Sequence, residues 1–90
     1  MQKTILISGA NSGLGFEAAR QLAKQGHEII LLCRNKEKGE QAVADIKSFS
    51  GNQNIHLYTA NLAVQKSVET VATQIKKDFS KLDVLLNNAG

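Results

Sequence analysis

The chain has 90 residues, 42% hydrophobic, with a formal net charge of +3. That length allows one domain at most, near the low end of what builds its own core, and no repeat, linker or low-complexity tract divides it. The lone Cys33 excludes an intramolecular disulfide, and no basic run with interleaved aromatics suggests a nucleic-acid site. The N-terminus lacks the charged and then apolar pattern of a signal peptide, so a reducing, cytoplasmic location without a membrane partner is expected.

In chain order, the apolar run Ile5-Leu6-Ile7 reads as a first strand that passes through Ser8-Gly9-Ala10-Asn11-Ser12-Gly13-Leu14-Gly15 into a helix. Leu14, Ala18, Leu22 and Ala23 mark that helix's buried stripe, with Arg20, Gln21, Lys24 and Gln25 largely opposite and Gly26 as its stop. Glu28 to Cys33 is a continuous apolar run suited to a parallel strand covered on both faces. Asn35 caps a second helix with the stripe Ala42, Val43, Ile46 and Phe49, broken at Ser50-Gly51-Asn52. A third strand follows from Ile55 to Ala60, then a third helix marked by Val68, Val71, Ala72, Ile75 and Phe79, then a fourth strand at Val84-Leu85-Leu86. This alternation predicts an α/β fold with a parallel sheet and right-handed crossovers. A strand order of 3-2-1-4 places a switch point between strands one and four, the first two helices on one face, the third on the other, and strand four at an edge.

The glycines at 9, 13 and 15 give G-x-x-x-G-x-G, a relative of the dinucleotide-binding fingerprint. Gly9 permits a tight turn, Gly13 a close approach of backbone to phosphate, and Gly15 close packing of helix on sheet. The helix's first N–H groups and its dipole then attract the anion. At the end of the second strand stand Cys33, Arg34 and Asn35, with no carboxylate for the ribose hydroxyls of NAD. Arg34 instead offers a planar donor fork to the 2′-phosphate of NADP, and NADPH is expected to bind in preference to NADH. Asn11 and Ser12 add neutral hydrogen bonds to the same phosphate. Cys33 reads as a small core residue, and His27 and His56 as surface or structural histidines, since no ligand spacing or metal motif accompanies them. Asp78 and Asp83 do not form a paired-carboxylate site.

Three motifs in order, Ser8-Gly9-x-x-x-Gly13-x-Gly15, Asn61-Leu62 and Asn87-Asn88-Ala89-Gly90, resemble the short-chain dehydrogenase/reductase family over essentially the whole chain. The stretch Cys33-Arg34-Asn35-Lys36-Glu37-Lys38-Gly39 is most similar to the branch of retinol dehydrogenase-like and carbonyl reductases that prefers NADP. The resemblance implies a Rossmann-type sheet without the family's later strands and helices. It places Gly9, Ala10, Asn11, Ser12, Gly13, Leu14 and Gly15 around pyrophosphate and adenosine ribose, and Arg34 on the 2′-phosphate. Asn61 and Leu62 border the adenine, while Asn88, Ala89 and Gly90 line the cofactor near its ribose, with Asn87 and Asn88 bracing the sheet. Ser8 stands for the family's usual threonine and Asn61 for its aspartate, and Ala63 or Val64 occupies the place of a serine cap.

The family's Tyr-x-x-x-Lys pair, its serine and its helix asparagine lie beyond strand four, so no catalytic residue is assigned. Tyr58, the sole tyrosine, is followed four positions later by Leu62. The resemblance thus implies residues 1–90 as the NADP-binding segment of an enzyme acting on a small carbonyl or alcohol. The competing reading is a non-catalytic dinucleotide-binding or protein-association module. Self-association through the edge of strand four is a further expectation.

Overall fold

The computed structural model describes residues 2–9, 13–61 and 63–87, the last by its backbone. The elements are β1 (Thr4–Ser8), α1 (Gly13–Lys24), β2 (Glu28–Cys33), α2 (Lys36–Ser50), β3 (Ile55–Thr59), α3 (Gln65–Asp78) and β4 (Val84–Asn87). The four strands form one parallel sheet in the order β3-β2-β1-β4, as the alternation of elements predicts. Leu6 sits between Ile30 and Leu85, and Cys33 lies opposite Thr59.

Hydrophobic burial on both sheet faces explains the unbroken apolar run of β2. Ile29, Leu31 and Cys33 face α1 and α2 in a core with Ile5, Ile7, Ala19, Ala23, Ala42 and Ile46. Ile30 and Leu32 turn the other way, against Val71 and Ile75 of α3. Each of these large side chains contributes about 1.5–3 kcal/mol by leaving water.

The α1 stripe is shifted from its expected phase. Gly15, Ala19 and Ala23 form the buried row at four-residue spacing, Leu22 packs against the core from its margin, and Leu14 is 82% exposed. Small residues let the helix lie close to the sheet, and Gly15 sets that phase at the expense of the larger leucine. Phe49 also departs from its expected burial, being 38% exposed. The Arg20 guanidinium carbon lies 4.0 Å from its ring centroid and the Lys24 ammonium 5.3 Å, so cations from α1 cover it in place of the core. Phe79 follows α3 as its C-cap residue and packs beside the second core.

Polar ties close the sheet at the end where the strands begin. Thr4 N–H donates to Asp83 Oδ2 at 2.8 Å, and Asp83 N–H donates back to the Thr4 carbonyl. His27 Nδ1 accepts from Lys3 N–H, and His56 Nε2 meets Glu28 Oε2 at 2.9 Å. Asn52 Nδ2 donates to the carbonyls of Ala23 and His27, at 3.0 and 2.7 Å, joining the turn after α2 to the turn after α1. Both histidines thus have structural partners.

Candidate dinucleotide site

At the opposite end of the sheet, the segments leaving β1, β2 and β3 lie side by side. Gly9, at φ 69°, donates its N–H to the Leu32 carbonyl at 2.9 Å, fastening the turn after β1 to the last residues of β2. Ala60 N–H donates to the Cys33 carbonyl at 3.1 Å, fastening the segment after β3 to the same strand. This lateral stitching holds Gly9, Arg34 and Asn61 in the order β1, β2, β3 along one rim.

Gly13 opens α1 at φ +64°, a backbone conformation that itself calls for glycine, and among the described residues beyond its chain neighbours a Cβ placed there meets nothing within 4 Å. No acidic residue occupies the first turn of α1, so its N–H groups and dipole act on an anion without an opposing charge from that turn. Gly15 is buried against the sheet, whereas Leu14 projects at the rim.

Arg34 forms the bend between Cys33 and the α2 cap and is exposed. Among the described residues no carboxylate pairs with it; the ion pairs join Arg20 to Glu17, His56 to Glu28 and Lys81 to Asp83. Asn35 is the N-cap of α2, its Oδ1 accepting from Lys38 N–H at 2.9 Å, and Gly51 closes that helix at φ 73°. The cap fixes where α2 begins and hence where Arg34 leaves the strand.

Asn61 is held on three sides. Its N–H donates to Ser67 Oγ at 3.0 Å, its carbonyl accepts from Val64 N–H at 2.9 Å, and its Oδ1 accepts from Ala63 N–H at 3.1 Å. Val64 is the N-cap of α3 and makes no side-chain cap bond, as its apolar character predicts. Ser67 was not legible as a site-supporting residue; a hydroxyl in the first turn of a helix with an apolar cap is the signal that points to it. Gly39 was likewise missed as a packing position. A Cβ there falls 2.7 Å from Leu57 Cδ1, so α2 rides close over β3 at this point.

Ala10, Asn11, Ser12, Leu62, Asn88, Ala89 and Gly90, and the side chain of Asn87, lie outside the described residues. The backbone of Asn87 lies opposite Ser8, beside the glycine turn.

Tyr58 belongs to another part of the molecule's chemistry. Its hydroxyl donates to Asp78 Oδ2 at 2.5 Å, and burial, followed by that bond and the Asp78 charge, pushes the phenol up to about 12. Reciprocally, the Tyr58 bond, with help from Gln74, holds the Asp78 carboxyl below its ordinary value. Cys33 is buried, and among the described residues no group of three or more potential metal ligands occurs. A cleft of about 580 Å³ lies between Thr59 and the 66–74 face of α3, away from Gly13 and Arg34.

A family model described as short chain dehydrogenase matches residues 3–90. The chain belongs to the short-chain dehydrogenase family. Human retinol dehydrogenase 13 is 40% identical over 88 residues, covering 98% of this chain and 27% of that protein. A short chain dehydrogenase from Shigella flexneri, solved in complex with NADP, superposes with a TM-score of 0.88 at 34% identity, covering 98% of this chain and 37% of that one. An NAD+-bound xylitol dehydrogenase superposes with a TM-score of 0.87 at 33% identity over 98% of this chain and 33% of its own. This short-chain dehydrogenase segment therefore spans about a quarter of the length of the curated relatives it matches. Its parallel sheet, in the order β3-β2-β1-β4, is that of a Rossmann-type fold. Among the described residues no helix is long and apolar enough to cross a membrane.

Proposed function

We propose that the chain binds NADP(H), with preference over NAD(H), as part of an oxidoreductase acting on a small carbonyl or alcohol. The observation that carries this reading is Arg34, exposed at the end of β2 and, among the described residues, without a paired carboxylate. The glycine at the start of α1 and the acid-free first turn of that helix fit the pyrophosphate of such a cofactor. When bound, the cofactor supplies the hydride. The chain's own part is to hold the pyrophosphate at α1, the 2′-phosphate at Arg34 and the adenosine along the β2–β3 rim.

We assign no proton transfer to these residues. Tyr58 is committed to Asp78, and a phenol pushed up to about 12 is poorly matched to acid catalysis near neutrality.

Titration calorimetry with NADPH and NADH tests the reading. A charge-assisted pairing of Arg34 with the 2′-phosphate contributes roughly 1.5–3 kcal/mol, so wild type is expected to favour NADPH by about 10- to 100-fold. Arg34→Asp is expected to abolish or invert that preference. Equal affinities in wild type would sink the NADP assignment, and binding of neither cofactor would sink the dinucleotide site itself.

A further inference from the structure

We infer that the outer edge of β3 takes up an extended acidic peptide as an added strand, with the adjoining cleft on α3 receiving its acidic side chains. This surface is separate from the dinucleotide site and does not depend on it.

β3 is the last strand on its side of the sheet. The Asn54 carbonyl accepts from Ile29 N–H, and Ala60 N–H donates to the Cys33 carbonyl, so residues 54 and 60 turn these backbone groups toward β2. Such groups alternate in direction along a strand. Ile55, Leu57 and Thr59 therefore direct their N–H and C=O groups outward, and among the described residues nothing pairs with them. A row of donors and acceptors at every second residue is matched by the backbone of another extended chain, which repeats at the same spacing. β3 holds no lysine and no proline, residues that commonly keep an edge from pairing.

An added strand shares the faces of the sheet it joins. Ile55 and Leu57 pack on the α2 side, whereas Tyr58 and Ala60 lie on the α3 side. A peptide residue opposite Tyr58 or Ala60 thus has its side chain on the α3 side. There the cleft of about 580 Å³ begins at Thr59 and runs along Ser67, Thr70 and Gln74. That row of α3 continues to Asp78, which bonds Tyr58, and so lies along β3.

The cleft has its own chemical preference. Val71 gives it an apolar wall, Lys66 brings a positive charge, and among the described residues no carboxylate lines it. The Ser67 hydroxyl accepts from Asn61 N–H and has its own proton to donate. Methylenes against Val71 and a carboxylate toward Lys66 and Ser67 are the complement. A second copy of the chain is a poor occupant, because neither Ile55–Thr59 nor Val84–Asn87 contains an acid to meet Lys66.

The test is fluorescence anisotropy of a labelled, end-blocked heptapeptide that alternates valine and glutamate, titrated with the full chain. Exchanging its glutamates for lysines is expected to weaken binding by about tenfold. Lys66→Glu is expected to erase that preference, whereas Lys76→Glu, an equal change of net charge on α3 outside the cleft, leaves it within about twofold. N-methyl groups on the peptide remove backbone donors without touching the protein. Methylating only the valines and methylating only the glutamates are expected to differ by about tenfold, since an added strand turns one alternate set of N–H groups to its neighbour. Equal binding of the glutamate and lysine peptides overturns the inference, as do equal effects of Lys66→Glu and Lys76→Glu, equal tolerance of the two methylated sets, or no binding. Sedimentation that shows a dimer excluding the peptide assigns the edge to a second copy and overturns it too.

Discussion

Replacing Asp78 by asparagine is expected to lower the ionisation midpoint of Tyr58 from about 12 while leaving it above the ordinary value of 10.0. Burial is the largest cause of the upward shift and survives the substitution, whereas the carboxylate charge does not. Tyr58 is only partly buried and Asp78 is exposed, so solvent screens the pair. A hydrogen bond of this kind contributes about 1 kcal/mol. For a phenol raised on folding, that contribution is fully present below pH 10 and is lost as pH rises from 10 through about 12. The Asp78 carboxyl is lowered on folding, so its share is present above its ordinary value of 3.8 and is lost as pH falls through the lower folded value. Tyr58 is the only tyrosine and the chain has no tryptophan, so tyrosinate ultraviolet absorbance reports on this one group. Circular dichroism read in parallel verifies that the fold persists through the titration. A wild-type midpoint near 10 in a chain still folded would refute the reasoning, as would an Asp78→Asn midpoint equal to that of wild type.

Two stability predictions follow from bonds at the helix ends. Asn52→Ala removes the donor to the Ala23 and His27 carbonyls and is expected to cost about 2 kcal/mol in urea denaturation, at roughly 1 kcal/mol per bond. A loss below about 0.5 kcal/mol would show that water replaces Asn52 there without penalty. Val64→Ser supplies the side-chain cap that α3 lacks, and because Val64 is 46% exposed little burial is forfeited. The midpoint of unfolding should rise by the equivalent of about 1 kcal/mol, and an unchanged or lower midpoint counts against the cap assignment.

Strand positions were legible wherever hydrophobic pattern and topology agreed. β2 carries apolar residues on both faces because both faces are covered, and its sequence says so without ambiguity. Asn35 and Gly51 marked the ends of α2 because capping chemistry is local. The phase of α1 was not legible. Gly15 and Ala19 carry little hydrophobic weight, whereas Leu14 carries much and lies outside the core. Burial was decided there by how closely the helix approaches the sheet, a tertiary quantity. Phe49 misled for a related reason, since its partners Arg20 and Lys24 come from another helix. The places of Gly9, Gly13, Arg34 and Asn61 at strand ends and a helix start were readable because the alternation of elements fixes them. The hydrogen bond from Asn61 to Ser67 was not readable, as six residues and a turn separate the partners.

A sheet whose strands all run one way sorts its connections by the end on which they fall. Gly9, Arg34 and Asn61 follow strands, whereas Lys3, His27, Asn52 and Asp83 precede them and knit the far margin together. The proposed cofactor rim and the hydrogen-bonded margin therefore lie at opposite poles of the same strands. A substitution at Gly9, Arg34 or Asn61 thus leaves the bonds of Lys3, His27, Asn52 and Asp83 that clamp the fold undisturbed.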